Sequence, residues 1–141
     1  MAIASFAASG TPGSLAPAEY RPGVCNIGPA EIARRRRAGH TGLLAAIGLF
    51  VALVAVGAPD WTRFLVAIPA IGAASGYIQA HLRFCAGFGA GGVVNFGDLG
   101  PTKRVSNAAD RARDRMRAFQ IGFASFAIGI AFGLLAVAVP V

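Results

Sequence analysis

Three long apolar segments limit what this chain can fold into. They cover about residues 41–58, 63–83 and 117–139, and no Asp, Glu, Lys or Arg lies within the core of any of them. At a rise of about 1.5 Å per residue, roughly 20 apolar residues cross a bilayer core about 30 Å thick. Buried helices of a soluble bundle would keep a polar face, which these segments lack. The sequence therefore predicts an all-α membrane protein with three transmembrane helices.

The overall composition leads to the same class. Hydrophobic residues make up 55% of the 141 residues and charged residues 13%, with a mean hydropathy of +0.61. So few charges cannot cover the surface of a soluble globule, which argues against a soluble enzyme and against disorder. The length suits one unit, and we expect residues 1–141 to form a single membrane domain.

The charge is positive and unevenly placed. The net charge is +7, with 13 Lys and Arg against 6 Asp and Glu. A nucleic-acid binder shares this sign but not the apolar surface, so we expect membrane lipid as a partner and no nucleic acid. Only Arg63 lies at the end of the spans where the first two are connected, and the other basic residues all fall on the opposite side of the membrane. By the positive-inside rule, the N-terminus faces the cytoplasm and the C-terminus lies outside.

The segment before the first span has two parts. Residues 1–28 are rich in Pro and small residues and lack the basic start and apolar core of a signal peptide, so we expect an irregular cytoplasmic tail. Pro29 and Glu31 predict the start of a short interfacial helix over about 29–38, which ends near Gly39 and leads into the first span. The excess of Arg over Lys is typical of GC-rich genomes and favours a bacterial inner membrane.

The second span carries two local signals. Asp60 is a suitable N-cap for this helix, and Pro69 should kink it because proline lacks a backbone N–H. After this span, residues 84–105 should form a Gly-rich cytoplasmic loop, followed over 106–139 by a charged helical extension and the third span. Opposite charges three residues apart predict two ion pairs in that extension, Asp110 with Arg113 and Asp114 with Arg117.

Small residues recur every four positions in the second and third spans. Such spacing lets helix backbones approach closely, either within this chain or against another subunit. The predicted helix-packing residues are Gly72, Gly76, Ala80, Ser125, Gly129 and Gly133.

Four consecutive arginines precede the first span. They cover most of the circumference of a helix, and we expect their side chains to reach the phosphates of lipid headgroups. These residues are Arg34, Arg35, Arg36 and Arg37.

The cysteines and histidines could form one chemical site. The predicted topology places Cys25, His40, His81 and Cys85 at the cytoplasmic membrane surface. Two sulfurs and two imidazoles could hold zinc, and two histidines could ligate haem b. The spacing matches no standard zinc pattern. The same residues could instead be structural, or the two cysteines could form a disulfide or a redox thiol pair.

No set of residues identifies a reaction. Gly87–Gly92 satisfies G-x-G-x-x-G, but the strand and helix that a dinucleotide-binding motif requires are missing. No nucleophile, base and oxyanion donor occur together, so we expect no enzyme and no cofactor. The sequence favours an accessory or structural subunit of a larger membrane-protein complex. The alternative is a redox membrane protein that binds a metal or haem through the Cys and His residues.

Overall fold

The computed structural model describes residues 19–141, and the fold is mostly helical. The first 18 residues of the predicted N-terminal tail lie outside the described residues. Two short strands pair antiparallel, with Val93 opposite Arg104. In chain order the elements are α1 (Pro29–Ala55), a 3-10 helix (Asp60–Val66) that leads directly into α2 (Ala67–Leu82), α3 (Ala86–Gly91), β1 (Val93–Val94), β2 (Lys103–Arg104) and α4 (Ala108–Ala138).

Three helical stretches are long and apolar enough to cross a membrane. They are Pro29–Ala55, Asp60–Leu82 and Ala108–Ala138, with hydropathies of 1.9, 1.3 and 2.3 over their most apolar windows. The predicted all-α membrane class with three spans is therefore confirmed. Helix α1 has 27 residues and α4 has 31, which correspond to lengths of about 40 and 46 Å. Both are longer than a bilayer core, so their charged ends extend beyond it.

The helix expected over 29–38 is not separate from the first span. Helix α1 runs without a break from Pro29 to Ala55. Gly39 does not end it, because this glycine is buried against α2: a Cβ added there would lie 2.9 Å from Cδ1 of Tyr77. A packing contact with a residue far along the chain thus explains a glycine that local rules associate with a helix end.

The start of the second span also differs from expectation. Asp60 is not an N-cap; its carboxylate forms an ion pair with Arg63 at 2.8 Å. The buried Arg63 guanidinium also donates a hydrogen bond to the carbonyl oxygen of Val139 at 3.0 Å, next to the end of α4. A cation at this position is favourable because the last carbonyls of a helix lack helical partners. Pro69 lies in the first turn of α2, directly after the 3-10 helix.

The spans lie side by side in a row. Helix α2 packs against both α1 and α4, whereas α1 and α4 make few contacts with each other. Within the most apolar windows, 39% of the second span is buried, against 11% of α1 and 28% of α4. The two outer helices therefore expose broad apolar faces.

Glycine and alanine bring α1 and α2 together. A Cβ added to Gly42 would lie 2.6 Å from the backbone nitrogen of Ala73, and one added to Gly76 would overlap the backbone of α1. Ala80 is also buried on α2. By contrast, a Cβ on Gly72 would meet nothing within 4 Å, because this glycine faces outward. The contact follows positions three residues apart, 73 and 76, and not the predicted pair 72 and 76.

A second row of small residues joins α4 to α2. Ser125, Gly129 and Gly133 are all buried. A Cβ on Gly129 would lie 2.7 Å from the backbone nitrogen of Ile71, and Gly133 faces the start of α2. The hydroxyl of Ser125 donates to the carbonyl oxygen of Ile121 at 2.7 Å, which satisfies it within its own helix. These three residues thus pack within the chain.

Candidate functional site

Most polar and charged residues gather at one end of the helix row. We call this end the basic cap and define it as residues 19–38 and 83–117, where α1 begins, α2 ends and α4 begins. It holds every Lys and Arg except Arg63. The short helix α3 packs on α4 at Gly89, where an added Cβ would lie 2.9 Å from the carbonyl oxygen of Asp114. The cap is therefore the part of the molecule whose residues could form a binding or catalytic site.

The centre of the cap is a fully buried asparagine. The Nδ2 group of Asn26 donates to the carbonyl oxygen of Cys85 at 3.0 Å, and the backbone N–H of Cys85 donates to Oδ1 of Asn26 at 2.7 Å. The backbone N–H of Asn26 also donates to the carbonyl oxygen of Arg83 at 3.2 Å. Arg83 ends α2 in the left-handed conformation, with φ 55°. Asn26 therefore joins the chain before α1 to the chain after α2.

The loop after α3 closes the other side of this segment. Asn95 donates its backbone N–H to the carbonyl oxygen of Asn26 at 3.1 Å and accepts from the N–H of Gly28 at 2.8 Å. Gly28 fits only because it lacks a side chain: an added Cβ would lie 2.8 Å from the carbonyl oxygen of Phe96. The segment before α1 is thus held between the end of α2 and the Gly-rich region. The predicted Gly-rich loop contains both α3 and the β1–β2 pair.

Glu31 is buried beside this segment. One of its carboxylate oxygens lies 3.7 Å from Arg34 and the other 3.6 Å from Arg35. Its side chain is only 1% exposed, and Oε2 accepts no hydrogen bond within the described residues. The other oxygen, Oε1, accepts a hydrogen bond from Nδ2 of Asn95 at 3.5 Å. The carboxylate is therefore held by its two arginines and by Asn95, because an unpaired buried charge is costly.

Arg35 is turned into the protein rather than towards lipid. Its Nη2 group donates to Sγ of Cys85 at 2.9 Å, and its guanidinium lies 5.9 Å from the centre of the Phe88 ring. Arg34, Arg36 and Arg37 are exposed, as the headgroup prediction requires, but Arg35 departs from it. The reason is that Arg35 lies one turn after Glu31, on the face of α1 that packs against Cys85 and Phe88.

The four predicted metal-binding residues make separate contacts. Nδ1 of His40 lies 2.7 Å from the hydroxyl of Tyr77, and His81 is exposed in the last turn of α2. Cys25 and Cys85 are buried free thiols, and Cys85 caps α3 by accepting the N–H of a residue three positions later. Within residues 19–141, no three His, Cys, Asp or Glu side chains come together as a group that could hold a metal ion. The zinc or haem hypothesis stays a prediction.

A buried aspartate on α4 was not foreseen. Asp114 is fully buried and accepts hydrogen bonds from the Tyr20 hydroxyl at 2.8 Å and from the Gly23 N–H at 2.7 Å. The predicted pair with Arg117 is wrong: that guanidinium contacts Gln120 instead, at 3.4 Å. Contacts that span more than 90 residues of sequence replace the i,i+3 pair here. Asp110 forms no ion pair within the described part of the chain either.

The contact with Asp114 has a pH signature at Tyr20. Burial, and then the hydrogen bond to Asp114, raise the pKa of Tyr20 above its ordinary value of 10.0. A raised pKa favours the protonated phenol, so this stabilisation is present below pH 10 and is lost as the pH rises through the folded-state pKa. The protein has 2 tyrosines. In a Tyr77→Phe variant, absorbance of the tyrosinate should therefore rise only well above pH 10 while the protein stays folded.

The same variant unfolded in denaturant serves as the control for this titration. Its Tyr20 should ionise near pH 10, since the contact with Asp114 is then gone. A midpoint in the folded protein that equals the unfolded one would contradict the described contact.

The hydrogen bonds of Asn26, Asn95 and Asp114 join distant parts of the chain. Asn26, Asn95 and the Tyr20–Asp114 pair were not identified from the sequence, since no local spacing marks them. Comparison of the chain with known protein families, with curated proteins and with solved structures gave no match.

Proposed function

We propose that the protein is a small structural subunit of a larger membrane-protein assembly in a bacterial inner membrane. The observation that carries this proposal is the row of three spans. Because α1 and α4 flank α2 and scarcely touch, only 11% of the apolar window of α1 and 28% of that of α4 are buried within the chain. An open row offers more apolar helix surface to neighbouring subunits than a closed bundle does.

Helix α4 presents the most distinctive of these surfaces. Phe119, Phe123 and Phe126 lie on one face of the helix and are 70%, 66% and 56% exposed. The rings of Phe119 and Phe123 stack with centroids 6.4 Å apart. Aromatic residues are enriched at protein interfaces, which supports this face as the side that meets another subunit.

The cap supports the same proposal in a different way. Its buried polar groups are used to join distant segments: Asn26 holds the end of α2, and Asp114 holds the chain near Tyr20. The small-residue contacts of the spans are likewise made within the chain. Both features suit a rigid structural element.

The orientation is part of the proposal. With the basic cap in the cytoplasm, the positive charges meet anionic headgroups of the inner leaflet. The opposite end then carries Asp60 and Arg63, which neutralise each other. A C-terminal alkaline phosphatase fusion, which is active only after export, should be active; activity of an N-terminal fusion instead would reverse the assigned orientation.

Isolation from native membranes tests the function. We expect the affinity-tagged protein, extracted in mild detergent, to elute with other membrane proteins at a fixed stoichiometry. A photo-crosslinking residue at Phe123 should form an adduct with one of these proteins, while the same probe at the exposed Lys103 of β2 should not. A protein that always elutes as a free monomer and gives only lipid adducts would rule out the structural-subunit role.

A further inference from the structure

A pocket in the basic cap is lined by three arginines. It has a volume of about 280 Å³ and opens between the end of α3, strand β2 and the start of α4. Arg104 comes from β2, and Arg111 and Arg115 lie one turn apart on α4. Gly91 and Gly92 also line the pocket.

At Gly92 the chain packs closely against Arg111, one of these arginines. Gly92 ends α3 with a φ of +68°, and a Cβ added there would lie 2.8 Å from Cδ of Arg111. Nη1 of Arg111 donates to the carbonyl oxygens of Val105 and Ser106, both at 2.8 Å. The guanidinium is thus fixed in place, while its Nε and Nη2 groups donate no hydrogen bond within residues 19–141.

The three charges are not neutralised by the chain. The ion pairs of the described residues involve Arg34, Arg35 and Arg63, and none involves an arginine of the pocket. All 6 acidic residues of the protein belong to the described part of the chain. Three guanidinium groups around one small space repel one another, and an anion in that space would relieve the repulsion.

We propose that this pocket binds a phosphate group. The planar guanidinium matches the geometry of phosphate oxygens, and several of them around one cavity suit a multiply charged oxyanion. The pocket lies just below the range of about 300–1,000 Å³ typical of drug-sized ligands, which suits a single phosphate-bearing group better than a dinucleotide.

The position of the pocket indicates a source for that phosphate. Arg115 precedes Phe119 by four residues, so it lies about 6 Å above the start of the apolar part of α4. If the apolar part of α4 spans the bilayer, the pocket lies at the level of the lipid headgroups. The headgroup phosphate of an anionic phospholipid is therefore the first ligand that we assign to it. A free phosphate from solution has the same chemistry and is the second source. The site does not depend on the subunit role proposed above, since all its residues belong to one chain.

The experiment compares two double variants with equal loss of charge. Arg104→Gln with Arg115→Gln removes two exposed arginines that line the pocket. The control, Arg21→Gln with Arg113→Gln, removes two exposed arginines of the same cap that do not line it. Circular dichroism should show equal helix content in all three proteins, because the four replaced side chains are exposed.

Binding is then measured for each possible source of phosphate. Native mass spectrometry should show one phosphatidylglycerol retained by the delipidated wild-type protein in detergent, with affinity at least about tenfold lower in the pocket variant and nearly unchanged in the control. If calorimetry with inorganic phosphate shows this pattern and the lipid does not, the pocket binds phosphate from solution. If neither probe binds, or if both double variants weaken binding equally, the pocket is not a phosphate site.

Discussion

Gly76→Ala is expected to destabilise the folded protein by about 1–3 kcal/mol, while Gly72→Ala leaves its stability unchanged or raises it slightly. The added methyl group of Gly76→Ala would overlap the backbone nitrogen of Gly39 and lie 2.7 Å from the carbonyl oxygen of Arg35. Backbone atoms cannot turn aside as a side chain can, so α1 and α2 must separate. This cost exceeds the gain of up to about 1 kcal/mol that alanine offers over glycine in a helix.

Gly72 is a matched control because it lies one turn earlier on the same helix. A Cβ there meets nothing within 4 Å, so the substitution adds the same methyl group without a clash. Unfolding of both variants by sodium dodecyl sulfate in mixed micelles, followed by circular dichroism, measures the difference. Equal stability of the two variants would contradict the described packing of α1 on α2.

The difference between Gly72 and Gly76 also shows what spacing can predict. The four-residue repeat predicted Gly72 and Gly76 as packing residues of α2, but α1 and α2 meet along Ala73 and Gly76. Which of two neighbouring rows lies in the contact depends on how the helices cross, and that is set by both helices together. A repeat in one helix cannot specify it.

The spans themselves could be predicted because the signal is local. A run of about 20 apolar residues has few alternatives to a transmembrane helix, whatever its neighbours are. The cap is different, since each of its main contacts joins residues far apart in sequence. Asn26 reaches Cys85 across 59 positions, and Tyr20 reaches Asp114 across 94.

The ion pair predicted from the charge pattern of α4 was wrong for the same reason. Asp114 and Arg117 have the spacing of a helical ion pair, but that interaction is worth only about 0.2–0.5 kcal/mol at a helix surface. A buried aspartate that accepts from the Tyr20 hydroxyl and the Gly23 N–H is held by stronger, charge-assisted hydrogen bonds. The weaker local preference therefore gives way to the long-range contacts.

Asn26→Ala is expected to destabilise the folded protein by about 2–5 kcal/mol, more than the removal of a helix cap in the same region. The substitution leaves the N–H and the carbonyl oxygen of Cys85 without their partners, and Cys85 is 2% exposed. Each unsatisfied buried group costs about 1–3 kcal/mol. Asn107→Ala, which removes the N-cap of α4 at an exposed position, should cost only about 1 kcal/mol.

Thiol labelling gives this prediction a local readout. Both cysteines are buried in the wild-type protein, and we expect them to react slowly with a maleimide. In Asn26→Ala the backbone of Cys85 loses both hydrogen bonds to the Asn26 side chain, so a peptide that contains Cys85 should be labelled much faster. Rapid labelling of Cys85 in the wild-type protein, or stability of Asn26→Ala equal to that of Asn107→Ala, would contradict the role given to Asn26.

Asn26→Asp separates the loss of hydrogen bonds from the loss of side-chain volume. The aspartate keeps an acceptor for the Cys85 N–H, but at neutral pH it places a carboxylate oxygen against the Cys85 carbonyl oxygen, where Asn26 Nδ2 now donates at 3.0 Å. Burial and this repulsion should raise the pKa of the new carboxyl above its unfolded value of about 3.9. The protonated form can donate to that carbonyl. Relative to wild type at the same pH, Asn26→Asp should therefore be most stable below about pH 4 and lose stability as the pH rises through the folded-state pKa. Asn26→Ala has no such group, and its difference from wild type should stay constant over the same range.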